Sequence, residues 1–223
     1  MRSRRPLGLA LFALALLGES RAYAEPREVD HVVVRFMAPE LGGARSPRFV
    51  SARMLAFEAR LEAFGDPDRG GTAYRERHVS AALERHIAET LLAGLRIDPE
   101  PTPAEVRAQA ESARRMLEER AGGAAALTAA AQAEGISQRE LVQLCQRQAR
   151  ASLYLDRMVS PMLAPSDAEL RALFRGGRTP FRDAPFETVL PALRRWYIAT
   201  RLQTALGAFY QNARSRLRIV FSS

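Results

Sequence analysis

The chain has 223 residues, 47% hydrophobic and 26% charged, which is globular composition and the length of one domain with or without an appendage. Its net charge is +8, and all 33 basic residues are arginine, a bias that reads as genome base composition rather than a role at each site. One cysteine, Cys145, excludes an internal disulfide.

Residues 1–24 read as an export signal. Arg2, Arg4 and Arg5 give a basic start, and Leu7 to Leu17 is an apolar run too short to span a bilayer. Ala22-Tyr23-Ala24 is a small-x-small cleavage site, so cutting falls between Ala24 and Glu25. An uncleaved anchor is the alternative. The segment carries four arginines and Glu19, a net of +3, so the remainder has +8 − 3 = +5. That charge suits acidic partners or anionic surfaces. It is not a nucleic-acid signature, and no nucleic-acid partner is expected of an exported chain. No membrane segment is expected after residue 24.

Glu28 to Met37 reads as a strand, with Val32, Val33 and Val34 supplying β-branched residues. Pro39, Gly42 and Gly43 make the next stretch a loop. Ser46-Pro47 reads as a helix entry, with Val50, Met54, Phe57, Leu61 and Phe64 as the apolar stripe. A second helix is expected from about Thr72 to Leu95, with stripe Val79, Leu83, Ile87, Leu91 and Leu95. Thr102, Pro103 and Glu105 open a third helix with a capping box, and it buries Val106, Ala110, Ala113 and Leu117. Ala124 to Glu134 reads as a short helix closed by Gly135, with low complexity as the competing reading.

The stretch from Ser137 to Phe174 organises the rest. Ser137 and Glu140 form a capping box. Leu141, Leu144, Ala151, Leu155, Met158 and Met162 then share one helix face, with Gln148 as its one strongly polar member. Pro161 and Pro165 end that helix. Ser166 and Glu169 cap a short helix holding Leu170, Leu173 and Phe174. The last helix runs from about Phe186 to Arg214, with stripe Val189, Leu193, Trp196, Ala199, Leu202, Leu206, Phe209 and Ala213 and with Pro191 in its first turn. Leu217 to Phe221 is a strand candidate. Two lone strands at opposite ends need a partner, so Val32–Val34 is expected to pair with Arg218–Val220.

The pattern supplies little chemistry. There is no glycine-rich phosphate loop and no Gly-x-Ser-x-Gly elbow. His78 and His86 are eight residues apart, roughly 12 Å along a helix, too far to share one ion. With His31 they read as structural or solvated, and no metal or cofactor is expected. Cys145 reads as a buried spectator rather than a nucleophile. What remains is apolar surface. Tyr197, Ile198 and Tyr210 lie off the last helix's main stripe, and Met54, Met116, Met158 and Met162 are pliable side chains. Each reads singly as core; together they allow an apolar groove able to hold a polypeptide, and they are the candidate peptide-binding residues.

The order Tyr154-Leu155-Asp156-Arg157, then Pro165-Ser166-Asp167-Ala168-Glu169-Leu170, resembles the N-terminal domain of SurA-type periplasmic chaperones, in the wider group of trigger-factor-like peptide-binding domains. Three further segments fit the resemblance: Leu91-Leu92 to Ile97, Thr102 to Val106, and Gly135-Ile136-Ser137 to Glu140-Leu141. MAPELGGARSP stands where the family has an Asn-Gly or Asn-Asp turn. The resemblance implies a mainly α fold for residues 25–223: N-terminal helices over 25–174, closed by the helix and strand of 186–221, with a small β pairing between the two ends. The family inserts parvulin-type prolyl isomerase modules, on the order of 90–100 residues each, after the Ser-Asp-Ala-Glu-Leu helix. Here only Arg175 to Pro185 lie between, so no module fits and isomerase activity is not expected. The resemblance therefore implies a periplasmic, non-catalytic chaperone for unfolded polypeptides, outer-membrane precursors among them. The alternatives are a dedicated adaptor in an envelope assembly and an isomerase-related enzyme.

Overall fold

The computed structural model describes residues 30–69, 73–181 and 183–221. The expected export signal, with its expected cleavage between Ala24 and Glu25, lies outside the described residues. The fold is mainly α, with seven α-helices among the described residues and one three-stranded antiparallel sheet.

Strand β1 (Val32–Met37) is central, with β2 (Arg48–Ser51) on one side and β3 (Arg218–Phe221) on the other. Its inward residues Val34 and Phe36 are almost fully buried while Arg35 between them is exposed, the period-2 alternation of a half-buried strand. The two chain ends do pair. The register differs from the expected one: Val34 faces Phe221 and Met37 faces Arg218, so Val32 lies beyond β3 and faces Ser51 of β2 instead.

Strand β2 is a correction. Ser46-Pro47 does not open a helix; residues 48–51 extend along β1, and Ser51 caps α1 (Ala52–Phe64) by accepting from the Met54 N–H at 3.4 Å. Arg-Phe-Val-Ser is short and aromatic or β-branched at its centre, and β1 offers it a ladder. A local cap signal lost to a non-local pairing.

Helix α1 is the hub. Leu55 and Ala59 face one hydrophobic cluster, and Phe57 and Leu61, offset by two residues, face a second on the opposite side. The first cluster joins α1 to the sheet and to α2 (Glu76–Gly94) through Ala82, Ile87 and Leu91. The second joins α1 to α3 (Pro103–Ala121), α4 (Ala124–Ala133) and α5 (Gln138–Tyr154) through Leu117, Leu127, Leu141 and Leu144. Each such buried leucine or phenylalanine stabilises the fold by roughly 1.5–3 kcal/mol. The caps expected at Thr102 and Ser137 are present: each side chain accepts from the backbone of Glu105 or Glu140, and each glutamate accepts from the cap N–H. Helix α3 ends at Gly122, whose φ of 90° lies in the left-handed region that glycine adopts without strain.

Helix α5 does not continue to Pro161. It opens into a π turn, Leu155–Val159, and then a 3-10 turn, Ser160–Leu163. A π turn takes in an extra residue, so Met162 leaves the face that Leu141 and Ala151 define and is 76% exposed. Pro165 is buried, and α6 (Asp167–Arg175) follows from the Ser166 cap.

Helix α7 (Phe186–Arg214) has the bounds expected of it, but Pro191 lies inside it rather than in its first turn. It is held at its two ends. Leu193 is buried near α6, and Arg194 donates to the Pro165 carbonyl and pairs with Asp167. At the far end Ala213 is buried, with Phe209, Tyr210 and Leu217 packed on the sheet cluster.

Candidate functional site

Two constructions stand out, one polar and one apolar. The polar one lies between the two faces of α1. Glu58 follows Phe57 and precedes Ala59, so it projects between the clusters, and it is buried. His86 Nδ1 lies 2.9 Å from Glu58 Oε1, and the Arg147 guanidinium of α5 donates to that oxygen at 2.7 Å. Arg147 also donates to Glu89 at 3.2 Å, and the Gln148 amide donates to Glu89 at 3.2 Å. The polar member of the α5 apolar row thus has its partner.

The electrostatics follow from burial and pairing. Burial pushes the Glu58 carboxyl up, but the Arg147 charge and the His86 hydrogen bond outweigh it and hold the group below its ordinary value. Glu89 goes the other way: burial raises it, and Arg147 only partly offsets that. Burial disfavours the Arg147 cation, yet the Glu58 and Glu89 charges beside it raise its value. Glu89 and Gln148 line a cleft of about 230 Å³ between α2, α3 and α5, together with Gln109, Ser112 and Ser152. The Gln109 amide donates to Ser152 Oγ at 3.0 Å across that cleft. The satisfied ion pairs of this network fix the mutual register of α1, α2 and α5.

The two histidines of α2 have separate partners, His86 in this network and His78 outside it. His78 Nδ1 accepts from the Arg75 N–H at 2.9 Å, which leaves Nε2 to donate to Asp66 Oδ2 at 2.7 Å. Hydrogen bonds from His78 and then Arg77 hold the Asp66 carboxyl far below the usual carboxylate range. Among the described residues no three His, Cys, Asp or Glu side chains converge as a metal site. Cys145 is buried, and burial pushes its thiol up, away from the thiolate a nucleophile needs.

The apolar construction lies where α7 crosses the helical body between its two attachments. Leu92 at the end of α2, Tyr154 at the end of α5, and Leu155 and Val159 in the π turn form one wall. Leu202, Ala205, Leu206 and Phe209 of α7 form the other. The cleft between them holds about 180 Å³. The π turn widens the backbone at that point and sets Leu155 and Val159 four apart on the side facing α7.

The candidate peptide-binding residues are not brought together in this cleft. Met54 packs against the second cluster, and Tyr210 against the first. Met116 is 68% exposed on the rim of the polar cleft, and Met162 stands out on the 3-10 turn. Met158 and Ile198 are half-buried, and Tyr197 lies under the Arg201 guanidinium, 5.9 Å from its ring centre. The cleft is lined instead by residues of the two main stripes, Leu155, Leu202, Leu206 and Phe209. An apolar stripe signals burial equally well against a neighbour helix or around a gap, so periodicity alone had no means of marking them.

No helix among the described residues is long and apolar enough to cross a membrane. No family model, no curated protein and no solved structure matches the chain. The fold defines a mainly helical protein in which the first and last strands among the described residues share one sheet.

Proposed function

We propose that the protein is a non-catalytic, chaperone-like binder of unfolded polypeptides, exported to the periplasm, with outer-membrane precursors as clients. One observation carries this reading: α7 is attached through Leu193 and Arg194 at one end and Ala213 at the other, and leaves an open apolar cleft beneath residues 202–209. An extended polypeptide presenting aliphatic or aromatic side chains would bury them there without any sequence-specific hydrogen bond. Anchorage at both ends lets the cleft widen around clients of different shape while the sheet and the α6 contact hold. The export signal of residues 1–24 and the SurA-type motif order support the same reading. No nucleotide enters the mechanism, because release would follow from weak, distributed apolar contacts alone.

The test is suppression of aggregation. The chain from Glu25 onward, mixed with an unfolded β-barrel polypeptide diluted from denaturant, should keep it in solution, and a folded control should not bind. A single stoichiometric partner in a crosslinked pull-down, with no effect on unfolded clients, would replace this reading with a dedicated adaptor.

A further inference from the structure

The sheet has an outer face and an open edge that the groove reading does not use. Strands β2 and β3 each pair only with β1, so among the described residues each has one edge with no ladder partner. The three strands, VVVRFM, RFVS and RIVF, contain arginines at 35, 48 and 218 and no acidic residue. Arg35 lies between the inward residues Val34 and Phe36, so it marks the outer face. Across that face it stands between Phe49 and Val220, which are 56% and 43% exposed, and the next row brings Met37 against Arg218. Among the described residues neither Arg35 nor Arg218 has an ion-pair partner.

The β3 edge is the more polarised one. From Gln211 to Phe221 the chain has arginines at 214, 216 and 218 and no acid; Arg216 alone is paired, with Glu40 at 2.8 Å. Val220 and Phe221, 69% exposed, add apolar surface to the same short strand. The strand joins an unpaired backbone edge to one free cation, Arg218, and to exposed aliphatic and aromatic side chains. Exposed edges of this kind invite strand addition unless something blunts them. Arginine blunts pairing with a second copy, because two β3 edges side by side would oppose like charges. It favours an acidic strand.

We propose that the outer edge of β3 takes an extended acidic segment of another polypeptide as a fourth strand. Its carboxylates share the face of Arg218, with Arg35 one strand behind, and its apolar residues share the other face, beside Ile219 and Phe221. Main-chain hydrogen bonds give affinity independent of sequence, and the charge selects acidic segments. This site is separate from the cleft under α7, so it stands or falls on its own.

The test uses the chain from Glu25 onward and fluorescent octapeptides read by anisotropy. One peptide alternates Glu with Val or Phe; the second has Lys for each Glu; a third pair repeats the first with alternate backbone amides N-methylated, in either phase. The acidic peptide should bind, and the Lys peptide and at least one N-methylated peptide should bind about tenfold or more weakly. Arg218→Glu, a surface change checked for retained helicity by circular dichroism, should lose the acidic peptide and gain the Lys peptide. Leu206→Glu in the α7 cleft should leave acidic-peptide binding unchanged. Binding of both N-methylated peptides as tightly as the unmodified acidic peptide, or loss through Leu206→Glu, would overturn the proposal. So would self-association that Arg218→Glu abolishes, or Arg218-dependent binding to phosphatidylglycerol vesicles with no binding of the acidic peptide.

Discussion

Arg147 of α5 and Glu58 of α1 meet at 2.7 Å although 89 residues separate them. Both are shielded from solvent, with side-chain exposures of 17% and 7%. Around them Glu89 and His86 complete a network that ties three helices together.

Replacing Arg147 with Met removes the cation and leaves two buried carboxylates facing each other. Loss of one partner of a buried pair costs about 3–5 kcal/mol. The urea midpoint of Arg147→Met should drop accordingly. Adding Glu58→Gln, which removes one of the stranded charges, should recover part of that loss. Equal midpoints for Arg147→Met and the original chain would mean the network contributes nothing to stability.

Acid should destabilise the fold. Glu58 has a folded pKa below its ordinary 4.5, so its contribution is present in full above that value and is lost as pH falls through the lower folded one. Glu105, held down by the Thr102 N–H, Glu140, held down by the Ser137 hydroxyl, and Asp66, held down by His78, have the same sign. Glu89 has the opposite sign: burial raises it, so its contribution is present below 4.5 and lost as pH rises through the raised folded value. Urea midpoints should therefore fall as pH drops below about 4.5, and Glu89→Gln should make the fall from neutral pH larger.

Much of this was legible in the sequence. The caps at Thr102, Ser137 and Ser166 were visible because a capping box is a purely local device. The bounds of α7 followed from its long stripe and from the glycine- and proline-bearing loop before it. Strand β2 was hidden because Ser46-Pro47 is a sound local helix start, and only the presence of β1 alongside favours the extended form. The π turn after Tyr154 leaves no local signature, so Met162 was placed on the wrong face. Glu58 gave no signal of its own; Gln148, polar within an apolar row, was the one trace of the network.

Ser137→Ala removes the cap oxygen that accepts from Glu140 and leaves the glutamate without its hydroxyl partner. The expected cost is about 1 kcal/mol. Amide exchange should quicken in the first turn of α5 and not in α7, a local effect that global measures alone would blur.

Leu193 is fully buried at the α6 end of α7. Leu193→Ala should cost about 2–5 kcal/mol if the whole fold senses it. Because few residues of α7 are fully buried, Leu193 and Ala213 among them, limited proteolysis should cut within α7 before any other helix opens. Cleavage elsewhere first would show that α7 is secured along its length.

The central claim is that the cleft between Leu155 and Leu206 holds unfolded polypeptide. Its most direct test is the affinity of the chain from Glu25 onward for an unfolded outer-membrane polypeptide, measured beside Leu206→Glu and a Leu155→Glu companion. The account predicts micromolar, sequence-tolerant binding by the original chain, about tenfold or more weaker in both variants, with retained helicity and no binding of a folded control. Unchanged binding by both variants, or no binding by the original chain, would contradict it.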